Sequence, residues 1–263
     1  MRWIRAAVAV GLIVTGCSDG GSRAVTPATT KPPVLKMRVV ATHPHDPTDF
    51  TEGYVFADRN HLYESSGLYG RSRVSSVDPT TGTVNRTAPL DPAQFGEGLA
   101  SVRGELVQLT WKEGVALRWA TATLSPVGRY ALAGEGWGLT YDAARGRYIQ
   151  SDGTGTLTFR DRSTFAVTGH VDVTRAGKPV TQLNELEWVA GTVWANVWLT
   201  NEILRIDPRT GRVTGVVDVS SLVPANDEPD NVPNGIAHRP GDAANRLWVT
   251  GKRWPTATEI TVS

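Results

Sequence analysis

GEGLAS, residues 96–101, sets a carboxylate between two glycines at the start of a segment that then reads as a strand. Glycine has no Cβ, so Gly96 and Gly98 permit a tight turn and the close approach of another group. On its own the stretch leaves Glu97 as either a reactive group or a solvated turn residue. The rest of the chain changes that balance. TEGYVF from Thr51, GWGLTY from Gly136, NELEWV from Asn184 and PNGIAH from Pro233 open in the same way, so five copies recur at spacings of about 40 to 49 residues.

Each opening is followed by a second apolar run: HLYESSGL from His61, ELVQLTWK from Glu105, RYIQSDGT from Arg147, TVWANVWL from Thr192 and RLWVTGKR from Arg246. Third and fourth runs then flank a turn, most clearly in RVSSVDPTTGTV and LRIDPRTGRVTGVVDV, where Asp-Pro and Thr-Gly supply hairpin chemistry. No long helical period interrupts the short alternating runs beyond residue 37. Four strands per repeat predict an all-β fold, a five-bladed β-propeller over residues 37–263. A β-sandwich of similar short strands offers no reason for a repeated register. The last repeat lacks a fourth strand after TEITV, and KMRVVATH, Lys36 to His43, is expected to supply it and close the ring.

In a propeller the innermost strands line the channel, so equivalent positions converge on one axis. The opening positions are Glu52, Glu97, Trp137, Glu185 and Asn234; the seventh positions of the second runs are Gly67, Trp111, Gly153, Trp198 and Lys252. Carboxylates and indoles therefore gather at two repeat positions, which moves Glu97 toward the reactive reading.

Composition constrains the partners. A formal net charge of +1 over 263 residues gives no footprint for nucleic acid, and the nine tryptophans suit packing layers and pocket walls. The single cysteine, Cys17, forbids an intrachain disulfide. MRWIRAAVAVGLIVTGC has Arg2 and Arg5 ahead of an apolar run too short to span a bilayer, and resembles a bacterial lipoprotein signal ending at a lipidated cysteine. The expected organisation is a signal peptide over 1–16, then Cys17 and a flexible Ser/Thr/Gly/Pro-rich tether over 17–36. A plain signal peptide with an incidental cysteine is the alternative. The first reading places an exported monomer on the outer side of the bacterial cytoplasmic membrane, held there by lipid alone.

Carboxylates walled by indoles suit proton transfer, because an apolar enclosure disfavours the charged form and raises a carboxyl pKa. The same aromatics also suit binding without turnover. Glu52, Glu185, Asn184, Asn234 and Asp152 offer hard oxygen ligands of the kind calcium takes, without a spaced carboxylate loop behind them. His43 and His45 in HPHDP lack a zinc pattern and fit a turn at Asp46-Pro47. There is no nucleophile elbow or dinucleotide fingerprint, and GEGWG precedes a strand rather than a helix.

HDPTDFTEG, LYESSGLYGRS, FGEGLA, QLTWKEG, GEGWGLTYD, SDGTGTL, LNELEWV, ANVWLTNEILRIDPRTG, NGIA and TGKRWP together resemble the plant and bacterial glutaminyl-peptide cyclotransferases, across roughly residues 37 to 262. The resemblance implies a five-bladed propeller that converts an N-terminal glutamine of a peptide or protein to pyroglutamate with release of ammonia. It implies Glu97 as the acid/base, with Phe50, Glu52, Trp111, Trp137, Asn184, Trp198 and Lys252 around the substrate. Glu52 stands where plant members carry glutamine. No cofactor is expected for catalysis, and a structural calcium in the channel stays open. Two tensions follow from the sequence: a charged Lys252 near Glu97 opposes the effect of burial, and Lys252 has a second candidate partner in Glu185. A non-catalytic peptide-binding propeller and a calcium-dependent lactonase or hydrolase propeller are the alternatives.

Overall fold

The computed structural model describes residues 30–225 and 230–263, so the signal segment 1–16, Cys17 and most of the tether lie outside the described residues. Apart from one 3-10 turn at Ser220–Leu222, the regular structure among the described residues is strand.

Alternating apolar runs broken by Asp-Pro and Gly form four-stranded antiparallel sheets, and five of these surround a channel. The first blade is Thr51–Phe56, Leu62–Ser66, Arg73–Val77 and Val84–Pro89; the second is Gly96–Val102, Glu105–Thr110, Val115–Ala120 and Pro126–Ala131. The third is Leu139–Asp142, Arg147–Gln150, Thr156–Asp161 and Val167–Asp172; the fourth is Leu183–Val189, Thr192–Val197, Glu202–Ile206 and Val213–Asp218. The fifth takes Pro233–Ala237, Arg246–Gly251 and Thr256–Val262 from one end of the chain and Met37–Pro44 from the other. Met37 pairs with Val262 and Pro44 with Thr256, so the ring closes through the N-terminal strand, as expected from the sequence.

Val34–Leu35, assigned to the tether by its composition, adds a short parallel strand to the outer edge of the fourth blade. Leu35 packs into the apolar cluster between the fourth and fifth blades, which a Pro-rich reading of the segment does not show.

Burial follows the radial order. The inner strand Thr51–Phe56 is buried at every position, whereas the outer strand Val84–Pro89 is exposed at nearly all of them. Five apolar clusters hold the ring, one at each interface between neighbouring blades. Val55, Tyr63 and Val74 meet Leu99, Leu106 and Trp119 between the first two blades. Tyr54, Phe56 and Leu62 meet Ala237 and Trp248 where the fifth blade returns to the first. Burying one such side chain contributes roughly 1.5–3 kcal/mol. A blade alone exposes both faces, so the ring is the smallest unit that hides them.

The hairpin chemistry is as expected from DPTTG. The Asp78 carboxylate accepts hydrogen bonds from the backbone N–H groups of Thr80 and Thr81, at 2.8 and 2.9 Å. His43 and His45 serve structure: His43 stacks on Trp248 and meets Glu259, while His45 lies between Glu64 and the Trp254 carbonyl. Asp46 caps its own turn through Thr48.

Candidate active site

The inner strands of four blades carry a register shift at their openings, between Thr51 and Gly53, Gly96 and Leu99, Leu183 and Leu186, and Pro233 and Ile236. A bulge adds one unpaired residue and re-aims its side chain. Glu52, Glu97, Asn184 and Asn234 occupy these bulges, and Trp137 precedes the paired part of the third inner strand. The register thus makes Asn184, not Glu185, the fourth-blade equivalent of Glu97. Glu185 falls one place later, where the other blades have Gly53, Gly98, Gly138 and Gly235.

Those glycines answer the question raised by GEGLAS. A Cβ on Gly98 would lie 2.5 Å from the Leu139 nitrogen and the Trp137 carbonyl oxygen. Its absence lets the Gly98 N–H donate to Trp137 O at 2.6 Å, joining the second and third inner strands beside Glu97. In the fourth blade the Glu185 carboxylate instead accepts hydrogen bonds from the backbone N–H groups of Tyr54 and Ile236.

Each second run contributes its seventh position in register, since Tyr54, Leu99, Leu139, Leu186 and Ile236 pair with residues three before Gly67, Trp111, Gly153, Trp198 and Lys252. Leu68, Leu199 and Arg253, immediately after three of these positions, adopt left-handed backbone angles (φ 93°, 61° and 59°) and turn the chain there. Gly153 makes room for the Trp137 indole, whose ring atoms would lie 2.6–2.9 Å from a Cβ at that position.

Bulges and loop turns meet around a cavity of about 300 Å³. Its lining includes all eight cavity residues expected from the sequence: Glu97, Phe50, Glu52, Trp111, Trp137, Asn184, Trp198 and Lys252. Phe95, Leu68 and Asp230 complete the lining and were not singled out from the sequence. Phe95 sits one place before the second opening, as Phe50 does before the first, and their rings meet edge-on at 6.2 Å. The Trp137 and Trp198 rings meet edge-on at 5.6 Å, so both indoles line the cavity in addition to packing on one another.

Glu97 is 6% exposed and its carboxyl makes no hydrogen bond among the described residues. Burial first, and then the neighbouring Glu52 carboxylate, push its pKa well above the ordinary value against the pull of Lys252. Lys252 does not pair with Glu185: its Nζ lies 2.7 Å from Glu52 Oε1 and 4.4 Å from the centre of the Phe50 ring. Asn234 Nδ2 donates to Glu52 Oε2 at 2.8 Å. The Glu52 carboxyl is raised by burial, with Lys252 and Asn234 opposing. Asn184 Oδ1 is buried without a partner among the described residues. Of the five hard-oxygen residues considered for calcium, three have other partners: Glu185 is held by backbone N–H groups, Glu52 by Lys252 and Asn234, and Asp152 caps a turn through Thr154.

A closed five-bladed ring that aims a desolvated carboxyl and an unpaired amide into an indole-walled cavity has the layout of an acid–base enzyme. The glutamine cyclotransferase family model matches residues 9–262. The chain is 38% identical over 232 residues to the glutaminyl-peptide cyclotransferase of Arabidopsis thaliana, covering 86% of this chain and 71% of that protein. The crystal structure of Myxococcus xanthus glutaminyl cyclase superposes with a TM-score of 0.82 at 36% identity, over 89% of this chain and 99% of that one. The chain belongs to the glutamine cyclotransferase family.

Proposed function

We propose that the protein is a glutaminyl-peptide cyclotransferase, converting N-terminal glutamine of peptides and proteins to pyroglutamate with release of ammonia. The observation that carries the reading is the Glu97 carboxyl, buried and free of hydrogen bonds among the described residues, in a cavity of about 300 Å³ walled by three indoles.

An α-amino group has a reference pKa of about 7.7–8.0. Burial raises the Glu97 carboxyl toward the amine in proton affinity, which lowers the cost of transfer between them and lets one group serve as base and then as acid. The neutral amine attacks the side-chain carboxamide carbon and the new N–C bond forms. Glu97 takes the proton that the amine sheds and delivers it to the carboxamide nitrogen, which leaves as ammonia. Trp111, Trp137 and Trp198 hold the side chain folded toward its own amine, so ring closure is an oriented unimolecular step. Asn184, in the cavity lining, is the donor through Nδ2 for the carboxamide oxygen as charge develops there, and Lys252 assists while bound to Glu52.

In this reading protein groups supply the chemistry: Glu52 is engaged by Lys252 and Asn234 and Glu185 by backbone N–H groups, while Glu97 is left free to exchange the proton. Activity that survives chelation supports this; activity lost to a chelator and restored by zinc or calcium contradicts it. Outside the described residues, the lipoprotein-type signal and Cys17 support export and lipid anchoring. Val34–Leu35 lies at the outer edge of the ring.

The test is ammonia release from a peptide with N-terminal glutamine, parent against Glu97→Gln. Turnover by the parent with a loss of about 10²–10⁴-fold in the folded variant is expected. No turnover above the spontaneous rate in either protein would favour a propeller that binds peptides without reacting.

A further inference from the structure

We infer that Glu135, in the loop that enters the third blade, is a positioning residue that holds two walls of the cavity by their indole N–H groups. Glu135 Oε2 accepts hydrogen bonds from Trp111 Nε1 at 2.8 Å and from Trp137 Nε1 at 3.0 Å. The two indoles come from different blades, one following a second-blade strand and the other opening the third. One carboxylate oxygen therefore fixes their separation. Lys112 Nζ lies 3.4 Å from the other oxygen and 3.7 Å from the centre of the Trp111 ring, bracing the acceptor from outside. The Glu135 carbonyl accepts Gln150 Nε2 at 3.0 Å, which anchors the loop itself. The indole hydrogen bonds hold the carboxyl below its usual pKa range, keeping it an acceptor.

The consequence for the proposed reaction, on which this inference rests, is chemical as well as steric. A glutamine carboxamide in the cavity seeks donors for its oxygen, and a free indole N–H beside Glu97 would hold it in an unreactive pose. With both N–H groups bound to Glu135, these indoles offer the substrate apolar faces. Asn184 and Lys252 then meet no competition from them for the oxygen. Trp198, by contrast, makes no side-chain hydrogen bond among the described residues, and its N–H stays available for the peptide.

The experiment compares Glu135→Ala and Glu135→Gln in the full chain. A glutamine oxygen still accepts both indole N–H groups, whereas alanine accepts neither. In Glu135→Ala, kcat/KM on a peptide with N-terminal glutamine is expected to fall about 10- to 100-fold with little change in melting temperature. Glu135→Gln is expected to stay within about threefold of the parent. The Trp111 and Trp137 indole N–H cross-peaks, assigned with Trp111→Phe and Trp137→Phe, should move upfield in the alanine variant and keep their places in the glutamine variant. Equal losses in both variants would assign the effect to charge and overturn the clamp, as would cross-peaks unmoved in Glu135→Ala. A parent that releases no ammonia would overturn the cyclotransferase reading, while the cross-peaks still decide the clamp.

Discussion

Lys252 Nζ and Glu52 Oε1 lie 2.7 Å apart with both side chains buried, which resolves the conflict between a lysine near Glu97 and a raised Glu97 pKa. The lysine charge is spent on a neighbouring carboxylate. Glu97 keeps the rise that burial gives it, and Glu52 adds to that rise.

Glu52→Gln therefore changes the base without touching it. It removes a negative neighbour and leaves Lys252 without its carboxylate, and both effects lower the Glu97 pKa. The acidic limb of the kcat profile, which reports groups in the bound complex, is expected to move to lower pH. The plateau is expected to fall several-fold, since a weaker base takes the amine proton less readily. An acidic limb that stays in place would show that Glu52 does not tune Glu97.

Glu97→Gln should cost activity and add stability. A carboxyl whose folded pKa lies above its unfolded value binds more protons in the folded state, so stability falls as pH rises above the unfolded pKa of about 4.3. The variant escapes this loss. Its melting temperature is expected to exceed that of the parent at pH 8, with the gap narrowing toward pH 4. A parent as stable as the variant across that range would mean that Glu97 is ionised without penalty.

How much of this was legible in the sequence differs from residue to residue. Glu52, Glu97 and Trp137 could be aligned because a glycine follows each, and that glycine is required where inner strands touch. The fourth blade has Glu185 at the glycine position, so alignment on the acidic residue slips by one and passes over Asn184. The apolar residue after it, Leu186 beside Leu99 and Leu139, sets the true register. The same register places Glu135 with Phe50 and Phe95, one position before the openings, where the repeat was not read. Leu68 and Asp230 lie in loops, which have no period to follow. Phe50 came from family resemblance rather than from the repeat.

His45 gives the fold a pH dependence of its own. Burial works against a charged ring, but the Glu64 carboxylate and hydrogen bonds to Glu64 and the Trp254 carbonyl outweigh it, holding the His45 pKa up at about 9. Against an unfolded value near 6.5, this contributes on the order of 3 kcal/mol. That stability is fully present below about pH 6.5 and is lost as pH rises through about 9. Parent and His45→Gln should therefore differ most in melting temperature at pH 6 and converge above pH 9. A difference independent of pH would mean that His45 contributes only by packing.

Gly153→Ala tests whether the cavity walls are set by blade register. Gly153 has φ +78°, where an L side chain is strained, and its Cβ would lie 2.6–2.9 Å from three ring atoms of Trp137. The alanine cannot be accommodated by a flexible end, because Trp137 is fixed by Glu135 at one edge and meets the Trp198 ring edge-on at 5.6 Å. The indole must move into the cavity. The backbone strain costs about 1–2 kcal/mol, visible as a lower urea midpoint with unchanged slope. Turnover should fall further than that loss of stability explains, with KM rising as the glutamine side chain loses its wall. A variant with reduced stability and unchanged kinetics would place Trp137 in blade packing alone and remove it from the substrate site.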